Sequence, residues 1–297
     1  MHRLLLLLLA AFLVSCEPLP GPYDVIIENG RVVDGTGNAW FYGDVAVRGD
    51  RIAAIVPRGG LRNAEASQRI DADGLVVAPG FIDIQSHSRS ALLYRDGRVI
   101  SKVTQGVTTE ILGENVTNAP TNENTLAARG AISDEARERA LQFAGPRGFG
   151  RWLSAMEAHG MSVNAGSFLG AATVRVYAKG EAEGPASAAE LDTMRTVMEN
   201  AMKDGAFGLA SALIYPPASF VGTDELVEVA SAMAPHGGLY ITHMRSEADN
   251  LIEAIDESIE IGQRAGVPVE IYHLKAAGRR NWHKAALAVA RIDAARE

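Results

Sequence analysis

Three histidines stand at the tips of apolar runs: His87 in APGFIDIQSHSRS (78–90), His243 in GGLYITHMRSE (237–247) and His273 in GVPVEIYHLKAAG (266–278). Between the last two, Leu251, Ile252, Ile255 and Ile259 recur at helical spacing, and Ala265-Gly266 closes that helix. One strand–helix–strand unit therefore separates His243 from His273. Neighbouring parallel strands lie about 4.8 Å apart, so both imidazoles are expected side by side at the C-terminal edge of a sheet. Two such ligands suit one Zn²⁺, with metal–nitrogen distances of about 2.0–2.1 Å. Glu114, just past the run Val107–Leu112, brings a carboxylate to the same edge, and His87 reaches it from the first strand. One strand-end histidine is ordinarily a satisfied core or loop residue. Three at equivalent places, with a carboxylate on a fourth strand, point to a metal site. Gln85, two residues before His87, stands where a partner histidine would complete a pair. His2, His159, His236 and His283 have polar, loop or leader contexts and read as outside the site.

The elements that must position these groups fall into two textures. From Asp24 to about residue 78, β-branched runs (Val25-Ile26-Ile27, Arg31-Val32-Val33, Val45-Ala46-Val47, Ile52–Val56) alternate with the turn residues Asn29-Gly30, Asp34–Gly37 and Gly49-Asp50. That pattern predicts a compact antiparallel unit. From 79 to 297, apolar strands alternate with amphipathic helices, as in a parallel α/β domain. Polar side chains converging at C-terminal strand ends are how a (β/α)₈ barrel builds an active site. Ser187 and Glu190 form a capping box ahead of a helix with Leu191, Met194, Val197, Met198 and Met202 on one face. Thr223 is expected to cap the next helix, with Asp224 and Glu225 in its first turn. The polar stretch 121–151 reads as a helical elaboration over one face.

The chain has 297 residues, 47% hydrophobic and 22% charged, with net charge −8, an ordinary globular composition. The acidic balance and the lack of a Lys/Arg-rich run exclude nucleic acid as a partner. MHRLLLLLLAAFLVSC pairs Arg3 with an apolar block too short to span a membrane. It resembles a bacterial lipoprotein signal, with Leu13-Val14-Ser15-Cys16 matching the lipobox. Residues 1–16 are thus expected to be a signal, Cys16 the lipidation site, and 17–23 a Pro/Gly tether. Glu17 after the cysteine implies the outer membrane, with the protein facing the periplasm. Cys16 is the single cysteine, so there is no disulfide framework and no CxxC metal site.

Taken together, VIIENGRVVDGTG, PGFID, GVTTEILGE, GLASALIYPP, YITHMRSE and IYHLKAAG resemble the N-acyl-D-amino-acid deacylases of the amidohydrolase superfamily. The resemblance implies a TIM-like barrel with a small β-sandwich built from both chain ends, the segment 24–78 supplying part of the sandwich. It implies that His243 and His273 hold a tightly bound zinc. The third ligand falls at Glu114 or Asn115; Glu114 is preferred, because a carboxylate ligates zinc and an amide does so poorly. His87 matches the second histidine of an HxH pair whose first member Gln85 replaces, so one metal is expected rather than two. Lys275, Tyr215 and Arg245 fall on or beside substrate-contacting positions. The implied reaction is hydrolysis of a small N-acyl amino acid by zinc-activated water, with a carboxylate shuttling the proton.

Strand ends near His87, Glu114, Gly170, Ala212, His243 and His273 number about six, and the eighth-strand aspartate that the resemblance implies as proton shuttle is not found. The expectation is a barrel truncated before its last strands, either a fragment or a shortened, inactive form. Gly170-Ala171-Ala172 also departs from relatives that carry a histidine after the glycine. The alternatives are another amidohydrolase reaction, such as opening of a cyclic amide, or a non-catalytic lipoprotein that kept the half-barrel as a binding surface. No lysine stands at the third or fourth strand end to form the carboxylated bridge common in cyclic-amide hydrolases.

Overall fold

The computed structural model describes residues 22–297, so the expected signal, Cys16 and most of the tether lie outside the described residues. The chain divides after Pro79 into two compact units.

The first unit is one sheet. Its strands are β1 (Tyr23–Val32), β2 (Phe41–Arg48), β3 (Arg51–Pro57), β4 (Ala66–Asp71) and β5 (Val76–Val77), in the order β3-β2-β1-β4 with β5 also on β1. Tyr23, Ile26, Ala46 and Leu61 form its core. The pairs β1–β2 and β2–β3 are antiparallel, but β4 and β5 run parallel to β1. That corrects the expected all-antiparallel unit. The eight residues from Arg58 to Glu65 carry the chain from β3 at one edge to β4 beside β1, and β-branched composition carries no strand direction. Asn29-Gly30, expected as a turn, is instead a bulge inside β1 where the β2 register shifts, with Asn29 at φ 65°. Asp44, fully buried, fixes this bulge by accepting from the backbone N–H of Asn29 at 3.0 Å and of Gly59 at 2.8 Å.

The second unit is parallel throughout. β6 (Phe81–Asp83), β7 (Val107–Leu112) and β8 (Asn164–Ser167) form one sheet; β9 (Leu169–Gly170), β10 (Gly208–Ala212), β11 (Leu239–His243) and β12 (Val269–Ile271) form another, in the order β12-β11-β10-β9. Only Phe168 separates β8 from β9, so one interrupted strand serves both sheets and the strand ends number six, as the sequence implies. Among the described residues the sheets do not close into a ring. Alternate residues of β10 and β11 are buried on opposite faces. Leu209 and Tyr240 join the main core with Leu112, Trp152 and Met198; Ala210 and Ile241 pack with Phe168 and Tyr272. Gly208 allows β10 to lie this close to β11: at φ 145°, its Cβ would stand 1.9 Å from Leu239 O.

The helix Ala188–Lys203 opens with the expected reciprocal capping box of Ser187 and Glu190, and it buries Met194, Val197 and Met198. Leu251–Ala265 ends at Gly266 in the left-handed conformation, as expected. Thr223, however, is the first residue of its helix and not the cap. Gly222 holds that place, and the Thr223 hydroxyl donates to Glu257 Oε1 at 3.0 Å. Glu225 likewise leaves the helix end for a buried ion pair with Arg175 at 2.5 Å. Both side chains find tertiary partners stronger than a local cap. No helix among the described residues is long and apolar enough to cross a membrane.

Candidate metal centre

The site is assembled from three strand ends. β7 runs into Gly113, whose φ of 105° no other residue adopts readily and whose Cβ would meet Phe168 O at 2.1 Å. Glu114 follows. Asn115, also left-handed at φ 57°, stitches this turn to the neighbouring sheet: its N–H donates to Ala210 O and its Oδ1 accepts from Ala212 N–H, each at 3.2 Å. The side chain of Asn115 is thereby spent on the backbone, and Glu114 is the residue that reaches the cluster. His243 is the last residue of β11, in register with Ala212 of β10. His273 lies two residues past β12 at φ 34°.

Glu114, His243 and His273 each offer a ligand atom within 4.8 Å of the others. Glu114 Oε1 lies 3.3 Å from His243 Nδ1, and Oε2 lies 3.0 Å from His87 Nε2. The rings of His243 and His273 stand 4.5 Å apart at 85°. His243 Nε2 is buried and has no hydrogen-bond partner. An orphaned imidazole nitrogen costs free energy unless something accepts its lone pair or its proton, and a cation among these N, N and O donors would do so. The donor set therefore fits zinc. The cluster lines an open cavity of about 480 Å³ whose other walls include Gln85, Arg89, Val116 and Tyr215. A larger hollow of about 1370 Å³ around Arg147 and Asp204 is elsewhere, and its one close charge pair is satisfied internally.

The remaining predicted residues divide. His87 touches Glu114 but its side chain is 64% exposed, which suits a peripheral ligand. Tyr215 lines the cavity with its ring 5.4 Å from that of His243. Lys275 sits at the site, yet its ammonium is already paired with Glu247 and lies 2.8 Å from His273 Nδ1. Arg245 is not in the cavity wall. Its guanidinium donates twice to Glu257, at 2.8 and 2.9 Å, and to the carbonyls of Ser219 and Val221, at 3.1 and 2.8 Å. The bonds and charge of Glu257 raise its already high pKa, and the carbonyl bonds leave it as a clamp on the segment after Tyr215. The resemblance places Arg245 beside a substrate-contacting position; its side chain turns towards the helix instead.

Sequence reasoning missed two groups. Glu247, with its side chain 12% exposed, places Oε1 2.8 Å from His273 Nδ1 and 3.9 Å from His243 Nε2. Its four-residue offset from His243 is a signal, though the intervening turn has no period that would have shown where it points. Arg89 enters the cavity two residues past His87. Burial, and then the like charge of Arg129, pull its pKa below the usual arginine range. Beneath the site the Tyr272 phenol is buried with no partner for its hydroxyl, and burial with the Glu114 charge pushes its pKa well up.

No family model matches the chain. D-aminoacylase from Alcaligenes xylosoxydans xylosoxydans is 36% identical over 276 residues, covering 92% of this chain and 55% of that protein. A crystal structure of D-aminoacylase, described as defining a novel subset of amidohydrolases, superposes with TM-score 0.79 at 34% identity, covering 93% of this chain and 56% of the other. N-acyl-D-glutamate deacylase from Bordetella bronchiseptica, solved with zinc and a phosphonate that mimics the tetrahedral intermediate, gives TM-score 0.79 at 29% identity over the same shares of 93% and 56%. The fold is thus that of the amidohydrolase barrels, and the chain spans about half the length of the curated relatives it matches.

Proposed function

This chain is a homologue of the N-acyl-D-amino-acid deacylases of the amidohydrolase superfamily, and from that premise we propose that it hydrolyses the amide bond of small N-acyl-D-amino acids with zinc at Glu114, His243 and His273. One observation carries the reading: a carboxylate and two imidazoles converge from three strand ends, and the buried His243 Nε2 is left without a partner. When bound, zinc supplies an acidified water and polarises the acyl oxygen. The chain's own groups do the rest. Glu114 and the two histidines hold the ion. Glu247 braces His273 from behind, as carboxylates commonly do for zinc-bound imidazoles. Tyr215 walls the cavity beside His243 and orients the acyl group. The proposal takes one metal rather than two; Gln85 and the exposure of His87, which alone anchors a second ion poorly, support that count.

The test uses the longest natural open reading frame containing this chain. Expected are about one zinc per chain and release of free amino acid from N-acyl-D- but not N-acyl-L-substrates. Absence of zinc, or zinc fully retained after His243→Ala, sinks the metal site; a preference for cyclic amides sinks the substrate class. The lipobox-like Leu13–Cys16 supports a further part of the proposal, a lipid-anchored, periplasm-facing protein of the outer membrane. Incorporation of labelled palmitate that survives Cys16→Ala would refute it.

A further inference from the structure

We infer that Arg89 is the group that recognises the substrate's carboxylate. This deepens the deacylase reading and rests on it. Of the two cations singled out from the sequence, one is bonded away from the cavity and the other, at the site, already has an acid partner. Arg245 is fastened to Glu257 and two backbone carbonyls outside the cavity wall. Lys275 is neutralised by Glu247. Arg89 lines the same cavity as Glu114, Tyr215, His243 and His273, and among the described residues it forms no ion pair, hydrogen bond or ring contact. It is half-buried, so it has given up part of its hydration without gaining a partner. Arg129 adds a second positive charge acting on it. The acid that shares its cavity, Glu114, is divided between His87 and His243. A partly desolvated guanidinium without an acid of its own, facing a metal cluster across one cavity, is a seat for an anion that enters with the substrate. Its planar fork suits a carboxylate, which it can hold through two parallel bonds.

Two carboxylates could fill this seat: the α-carboxylate common to all N-acyl amino acids, or a side-chain carboxylate. Paired probes separate them. Isothermal titration of the zinc-loaded protein would use N-acetyl-D-methionine against its carboxamide, and N-acetyl-D-glutamate against N-acetyl-D-glutamine. Loss of affinity on amidating methionine assigns the α-carboxylate; a loss confined to the glutamate–glutamine pair assigns the side chain. In either case Arg89→Gln should weaken the acid about 10- to 100-fold, the range for charge-assisted hydrogen bonds, and leave the amide within about twofold. Arg89→Lys should fall between, because it keeps the charge and loses the fork. Unchanged zinc content in each variant shows that the cavity is intact. Equal binding of acid and amide by the wild type, no binding of the acid at all, or an acid affinity indifferent to Arg89→Gln would overturn the inference. The same binding pattern without any hydrolysis supports the role of Arg89 and overturns only the deacylase reading.

Discussion

At the scale of single residues, the ligands differ most in how far water already satisfies them. His243 is buried with a free nitrogen, while His87 is largely exposed and leans on Glu114. Removing His243 should therefore abolish stoichiometric zinc, and His87→Ala should weaken it about tenfold, the low end of the range for outer partners of a zinc site. Dialysis against zinc followed by elemental analysis of both variants measures this; equal losses would show that His87 is a full ligand. Gln85→His restores the missing pair and should raise bound metal from about one towards two per chain at saturating zinc. The histidines and Glu114 are legible in the sequence because each ends an apolar run whose period fixes where its tip lies. Glu247, Arg89 and the true direction of Arg245 are not legible. Arg245 and Glu247 sit in the loop after β11, where spacing says nothing of side-chain aim, and their partners Ser219 and Lys275 lie 26 and 28 residues away. Arg89 opens the short helix Arg89–Tyr94 and is marked only by the cavity it lines.

At the scale of elements, the Arg245–Glu257 pair ties the end of β11 to the helix Leu251–Ala265 and, through Ser219 and Val221, to the segment that carries Tyr215. Glu257→Gln keeps the shape but removes the charge, and should cost about 1–3 kcal/mol of local stability. Hydrogen exchange should then quicken at the amides of residues 215–222, with zinc content unchanged. Uniform exchange across the whole unit would mean the pair stabilises the fold globally rather than this segment. Element types and the helix ends at Ser187 and Gly266 follow from local chemistry and are readable in advance. The parallel direction of β4 and β5 and the loss of the Thr223 cap are decided by long-range pairing, which composition does not encode.

At the scale of the whole chain, every residue of the candidate metal cluster comes from the unit after Pro79. Zinc bound at the proposed site would be coupled to folding of that unit, since a ligand bound only by the native state stabilises it by mass action. With zinc at a hundredfold excess over its dissociation constant the gain is about 2.7 kcal/mol, so chelation should lower Tm by about 5–10 °C for a unit of this size. Leu61→Ala, in the core of the other unit, should cost about 2–5 kcal/mol there and leave that chelation shift unchanged. Calorimetry with and without chelator reads both effects; a shift that shrinks in Leu61→Ala would show that the metal stabilises both units together.

Asn115 holds the turn after β7 to Ala210 and Ala212, so the backbone at position 114 is fixed without help from the Glu114 side chain. The scaffold and the donor are thus separate residues, and the donor can be exchanged like a bit in a chuck. A carboxylate favours harder ions such as manganese or cobalt relative to a thiolate, which favours softer ones. Glu114→Cys should shift the order of affinities towards cadmium and zinc while Tm of the metal-free protein stays put. In the proposed site, one side chain on a turn held in place without it would then set the preference among metals.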